Sequence, residues 1–333
     1  MNTTQSMNYI HTRVQWLDIA RGAGILLVVI GHTNTPPLVH SFIYSFHVPL
    51  FFILSGYTIR RSLNLDFQSF IKQKAQTLLW PYLIFSVLAA IAFGFASKDP
   101  TYRVILSDIH LALKLQDNID TPLWFLLGLF SASLWYWILS AGSKMLAGVF
   151  ALALSVSALI ILHFFPIDLP LRFLSSAQYV IFIHLGHFLA TRRPDSHPIS
   201  LPKQAARAAL SLGFLCSLVY IGKFLNWELA ALSFLCSSIV GATMITNFST
   251  ICVGVPFLST GLRWCGKNSL SIMCVHEVVM KVFRQVVTPF VGRGVDQFLM
   301  VIVIFGLVWG IAKYAPALLK FPFWNRQKAS GLS

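Results

Sequence analysis

Residues 17–36, LDIARGAGILLVVIGHTNTP, are apolar enough for a bilayer yet carry Asp18, Arg21 and His32. Arg21 and His32 are eleven residues apart. In a helix that is three turns plus about 20°, so both side chains point the same way, about 16 Å apart along the axis. Asp18 lies three residues before Arg21, within ion-pairing reach. It returns to within about 40° of the line through His32. An ionisable group at mid-membrane costs at least about 3 kcal/mol, so this stripe must face protein or a hydrated cavity rather than lipid. A guanidinium offers phosphate a fixed fork of donors. An imidazole that titrates near neutrality can take a proton from a hydroxyl or carry a group covalently. The pattern therefore predicts a polar path across the bilayer, with Arg21 towards one side and His32 towards the other. The plain alternative is a buried ion pair plus a histidine satisfied by a neighbouring helix carbonyl.

The elements that must position these groups follow from composition. Of 333 residues, 56% are hydrophobic and 11% charged, with 28 Phe and 9 Trp, which places the chain in a membrane. The formal charge of +14 falls in short Lys/Arg clusters between apolar runs rather than along one face, which argues for membrane topology and against nucleic acid. The five cysteines form no Cys-x-x-Cys pair and read as small core residues, not as a metal or disulfide framework. The first apolar segment carries internal charges and no small-residue cleavage site, so it is expected to stay as a helix rather than act as a cleaved signal. Ten segments qualify as spans of about 20 residues: 15–34, 38–59, 76–96, 122–141, 145–165, 174–191, 206–224, 228–248, 268–287 and 295–314. The expected fold is all-α, a polytopic helix bundle forming a single integral membrane domain over 1–333, with its core at 15–314. With the N-terminus inside, sixteen Lys and Arg fall in inner segments and seven in outer ones, so both termini are expected in the cytoplasm. Arg21 then lies towards the cytoplasm and His32 towards the outside.

The second span holds SFHVPLFFILSGY, residues 45–57, where Pro49 cannot donate to the carbonyl of Ser45. A kink or opened turn is predicted there. In lipid the freed carbonyl needs a partner, which sets the His47 region against other helices or water. Taken with LDIARGAGILLVVIGH, this sequence resembles the acyltransferase-3 family of integral membrane O-acyltransferases, which acetylate or succinylate sugars of exported glycans. The first of these motifs matches the family's basic residue, ten residues, then histidine. Further matches follow in order: KQKAQTLLWPYLIF at 72–85, PLWFLLGLF at 122–130, QYVIFIHLG at 178–186 and GKNSLSIMCVHE at 266–277. The chain is most similar to the short, single-domain branch that includes sugar O-acetyltransferases. It departs from the family near Met273, where a tyrosine is usual.

The resemblance implies a ten-helix bundle in the bacterial inner membrane that takes an acyl group from cytoplasmic acyl-CoA, with acetyl-CoA the first expectation. The acceptor it implies is a hydroxyl of a surface or lipid-linked glycan. No tightly bound cofactor and no metal are expected. On this reading His32 is a general base or transient acyl carrier, with Asp18 and Arg21 setting the local field and holding polar groups of the donor. Arg60 and Arg61 stand where coenzyme A phosphates would arrive, unless they only mark the inner side. Trp124 could stack on a sugar or line an acyl tunnel, or belong to an interfacial aromatic belt. Ser269, His276 and Glu277 are expected to support the cavity, and Ser269 and His276, seven apart, share a helix face. His184 and His187 have metal-compatible spacing but no third ligand. A glycolipid transporter or flippase is the rival class, since it too needs a polar stripe.

Overall fold

Helix occupies every one of the ten expected segments. The computed structural model describes residues 15–96, 102–115, 122–142, 144–165, 167, 169–191, 201–291 and 295–319, and no strand occurs among them. The basic residues Arg13, Lys98, Arg192, Arg193, Arg293, Lys320, Arg326 and Lys328, which are counted in the topology argument, lie outside the described residues. In chain order the helices are α1 Gln15–Gly31, α2 Pro37–Tyr44, α3 His47–Thr58, α4 Arg60–Leu63, α5 Phe67–Lys74, α6 Trp80–Ala96, α7 Tyr102–Leu113 and α8 Trp124–Leu139. They continue with α9 Lys144–Phe164, α10 Val180–Thr191, α11 Leu201–Gly222, α12 Trp227–Cys252, α13 Pro256–Lys267, α14 Ser269–Val286, α15 Thr288–Val291 and α16 Val295–Tyr314.

Seven segments are long and apolar enough to cross a membrane: Pro37–Thr58, Phe67–Phe95, Leu146–Phe164, Pro170–Thr191, Leu201–Gly222, Leu229–Cys252 and Asp296–Tyr314. The other three expected spans differ from these in length or charge. α1 has 17 residues and α8 has 16. α14 has 18 but carries Glu277, Lys281 and Arg284. Two connections expected as loops fold as helices instead, α7 within 97–121 and α13 ahead of α14. Pro256 opens α13 at a position that needs no N–H donor. Ser259, Leu262 and Gly266 then recur on its buried face, a spacing that span-counting by hydropathy overlooks.

Proline shapes two of the spans. The second breaks between Tyr44 and His47, and the Ser45 carbonyl, deprived of its donor by Pro49, lies 3.3 Å from the Ser238 hydroxyl, which it shares with the Phe234 carbonyl at 2.7 Å. The third begins earlier than expected, at Phe67, and runs through a π-helical stretch, Ala75–Leu79, immediately before Pro81. Trp80 N–H reaches back five residues to the Ala75 carbonyl, the widened register by which a helix admits an extra residue next to proline.

The chain divides into two compact units. One comprises the described parts of 1–27, 37–47 and 196–269. In it the backbones of α1 and α13 touch: a Cβ on Gly22 would strike the Leu262 carbonyl, and one on Gly266 the Asp18 carbonyl. Small residues permit this approach, which gives the Gly266 of the late motif a packing role. The other unit comprises 28–36, 48–195 and 270–333. There α3 and α10 cross in the same manner, Gly56 against the Ile183 carbonyl and Gly186 against the Ile53 carbonyl. Phe52 stacks on Tyr179 with ring centroids 4.6 Å apart. The irregular backbone ahead of α10, where Leu171 and Arg172 take positive φ, is held by α8. Ser131 donates to the Leu171 carbonyl at 2.7 Å and Trp135 to the Phe173 carbonyl at 2.9 Å, giving these carbonyls the partners that lipid would not supply.

Candidate active site

α1 stops at Gly31, ahead of Pro36 and Pro37, and His32 occupies the turn that follows. Its N–H still bonds the Val28 carbonyl at 3.1 Å, so His32 continues the helical register of the turn before it. Past a helix end the carbonyls lack intrahelical donors. The His32 carbonyl finds one in the Arg284 guanidinium of α14, a cation well placed for the negative end of the helix dipole. One helix thus holds His32 at two points. Arg284 grips its backbone, and Glu277, seven residues earlier and therefore on the same face of α14, presents its carboxylate to the ring. His32 Nδ1 lies 3.1 Å from Glu277 Oε2.

Glu277 is 7% exposed and His276 is fully buried. A carboxylate accepts only, so a proton placed on Nδ1 would face an acceptor and leave the lone pair on Nε2. The carboxylate also faces the positive charge that forms if Nε2 takes a proton, the geometry of an imidazole poised as a base. The His276 ring stands edge-on to His32, centroids 5.2 Å apart. Its Nδ1–H donates to the Ile272 carbonyl at 2.9 Å, which turns its unprotonated Nε2 into the interior, where that atom has no partner among the described residues. His32, His276 and Glu277 also offer one ligand atom each within 4.8 Å of one another, close enough to share a metal ion.

These three residues are the expected site members that the structure brings together. Asp18, buried, and Arg21, half-buried, lie on the part of α1 assigned to the other unit, and His47, at the start of α3, and Ser269, at the start of α14, also belong to that unit. His47 is buried, its Nδ1 bonded to the Ile43 carbonyl at 3.0 Å and its ring against Tyr44. Ser269 begins α14, two turns before His276. Trp124 carries the Arg172 guanidinium 5.7 Å from its ring centroid, so a cation already covers one of its faces. Met273 is buried within α14, an apolar filling of the position where tyrosine is usual.

A second feature forms at the ends of α3, α8 and α10. A cavity of about 810 Å³ is lined by Arg60, Asn64, Tyr136, Trp137, His184 and His187, among others. The Tyr136 hydroxyl lies 2.8 Å from His187 Nδ1 and 3.3 Å from His184 Nδ1, so a phenol joins the two imidazoles. Arg61 is exposed and does not line this cavity. Tyr136 and Arg284 went unrecognised in the sequence. Tyr136 is hidden in an aromatic run, and Arg284 is one of the seven outer charges, although its seven-residue spacing from Glu277 puts the two on one helix face.

The sequence profile of an acyltransferase domain, that of the acyltransferase-3 family, matches residues 14–313, nearly the whole chain. The chain belongs to the acyltransferase-3 family. No curated protein and no solved structure matches it. Family membership and the apolar helices together make this an integral membrane acyltransferase. His32, the histidine of the family's basic-x10-His motif, is the residue that Glu277 and Arg284 of this acyltransferase hold.

Proposed function

We propose that this acyltransferase moves an acyl group, most simply acetyl, from cytoplasmic acyl-CoA to a hydroxyl of a surface or lipid-linked glycan, in a bacterial inner membrane with both termini cytoplasmic. The observation that carries the reading is the His32–Glu277 pair. The acceptor hydroxyl gives its proton to His32 Nε2 while its oxygen attacks the thioester carbonyl carbon. The tetrahedral intermediate collapses with cleavage of the C–S bond, and the departing thiolate takes the proton from the imidazolium, leaving an ester and free coenzyme A. An acyl-histidine route would use the same nitrogen as nucleophile. A positioned base supplies about 100- to 10,000-fold, and holding both substrates in line supplies more. Asp18 and Arg21 serve the polar groups of the donor in this scheme. Arg60, at the rim of the 810 Å³ cavity, offers a phosphate-binding guanidinium on the side where the positive-inside pattern puts the cytoplasm.

The test uses purified protein in liposomes with radiolabelled acetyl-CoA on one side and a glycan acceptor on the other. Ester-linked label on the acceptor that disappears with His32→Ala is the expected outcome. Movement of the acceptor without acylation would identify a transporter instead.

A further inference from the structure

We propose that the polar cavity beside His32 is a subsite for saccharide hydroxyls, with Asp296 as its anchoring acceptor. It is separate from the cavity lined by Arg60, encloses about 410 Å³, and is lined by Thr33, Asn34, Arg284, Thr288, Asp296 and Gln297, with Met300 as its apolar residue. That volume falls within the range of small-molecule sites. The cavity adjoins the His32 backbone, since Thr33 and Asn34 follow His32 directly and Arg284 donates to the His32 carbonyl, while the imidazole itself is not among its lining residues.

The chemistry of the lining selects the ligand class. Asp296 is 5% exposed, and its Oδ2 accepts the Thr288 hydroxyl at 2.9 Å. Its Oδ1 is buried with no partner among the described residues. A buried carboxylate oxygen without a donor costs stability, and a ligand that brings O–H groups removes that cost. Asn34 and Gln297 add amides that both donate and accept, Thr33 a hydroxyl, and Arg284 donors only. Sugar hydroxyls also both donate and accept, and they complement this mixed set. An inorganic anion would meet the Asp296 charge, and a cation would meet Arg284. This inference rests on the acyl-transfer reading for the purpose of the site, but binding can be measured without catalysis.

The experiment is saturation-transfer NMR on the full chain in nanodiscs with methyl β-D-glucopyranoside, methyl α-D-mannopyranoside and methyl N-acetyl-β-D-glucosaminide as probes. Wild type is expected to receive saturation transfer with at least one pyranoside. Asp296→Asn is expected to weaken that binding about tenfold or more, the loss that follows removal of a charged hydrogen-bond acceptor. Gln297 is exposed, so Gln297→Ala tests the same cavity without touching the core and is expected to weaken binding severalfold even if Asp296→Asn folds poorly. His32→Ala is expected to bind the pyranoside while losing acyl transfer. If His32→Ala still transfers the acyl group, the catalytic reading fails and the subsite stands. A wild type silent with all three probes, binding undiminished in both cavity variants, or displacement of the sugar by inorganic phosphate overturns the subsite.

Discussion

At the scale of residues, the site is a histidine held from both sides by one helix. Its side chain meets Glu277 and its carbonyl meets Arg284, so removing the carboxylate frees the ring tautomer without moving the backbone. Glu277→Gln is predicted to lower kcat about 100-fold or more with little change in the acyl-CoA KM, as expected when a base loses the group that sets its tautomer. Steady-state kinetics in liposomes measures the split. A rise in the acyl-CoA KM alone would assign Glu277 to donor binding. Because His32, His276 and Glu277 could also gather round a cation, chelation separates the two chemistries. The base mechanism predicts unchanged turnover after EDTA treatment, and activity lost to EDTA then restored by zinc would replace it with metal-assisted transfer. Arg60→Gln is predicted to raise the acyl-CoA KM severalfold with kcat retained, since a phosphate contact away from the reacting carbonyl contributes equally to ground and transition states.

At the scale of elements, the glycines of the motifs are packing devices. Gly56 and Gly186 face each other's helix backbones, which cannot yield as a side chain can. Gly186→Ala is therefore predicted to destabilise the protein by about 1–3 kcal/mol, the usual cost of overpacking. Gly213 has open space where a Cβ would go, so Gly213→Ala should be neutral or stabilising, by up to about 1 kcal/mol from helix propensity. Thermal melts in nanodiscs compare the two. Helix α5 starts at an exposed cap, with the Asp66 carboxylate accepting from Ser69 N–H at 3.0 Å. That hydrogen bond holds the Asp66 carboxyl below its ordinary range. A carboxylate lowered in the folded state stabilises above its unfolded pKa, and its contribution is lost as pH falls through the lowered value. Asp66→Ala is accordingly predicted to speed hydrogen exchange of the first α5 amides at neutral pH, with the difference from wild type vanishing in acid.

At the scale of the whole molecule, the proposed direction of transfer depends on topology. The count of Lys and Arg puts the connection at Asn64 inside and that at Asn34 outside. With the five native cysteines replaced, cysteines introduced at Asn64 and Asn34 are predicted to react with impermeant maleimide from opposite faces of oriented vesicles. Labelling from one face would remove the trans-membrane step, leaving an acyltransferase that works on one side.

The amino-acid sequence alone determined the class of molecule, helix in each of the ten expected segments and the orphaned carbonyl before Pro49. Each of these rests on local chemistry: apolar length, helical period, a missing N–H. It did not reveal which partner each of those groups would meet. Ser238 lies 193 residues from the Ser45 carbonyl that its hydroxyl approaches, and Arg284 lies 252 from the His32 carbonyl. Asp18 and Arg21 share a helical line with His32, yet the carboxylate that reaches its ring is Glu277. Such pairings are contacts between segments remote in sequence, and spacing along one helix orients a side chain without naming what lies across from it. Tertiary structure decided those, along with the glycine crossings and both cavities.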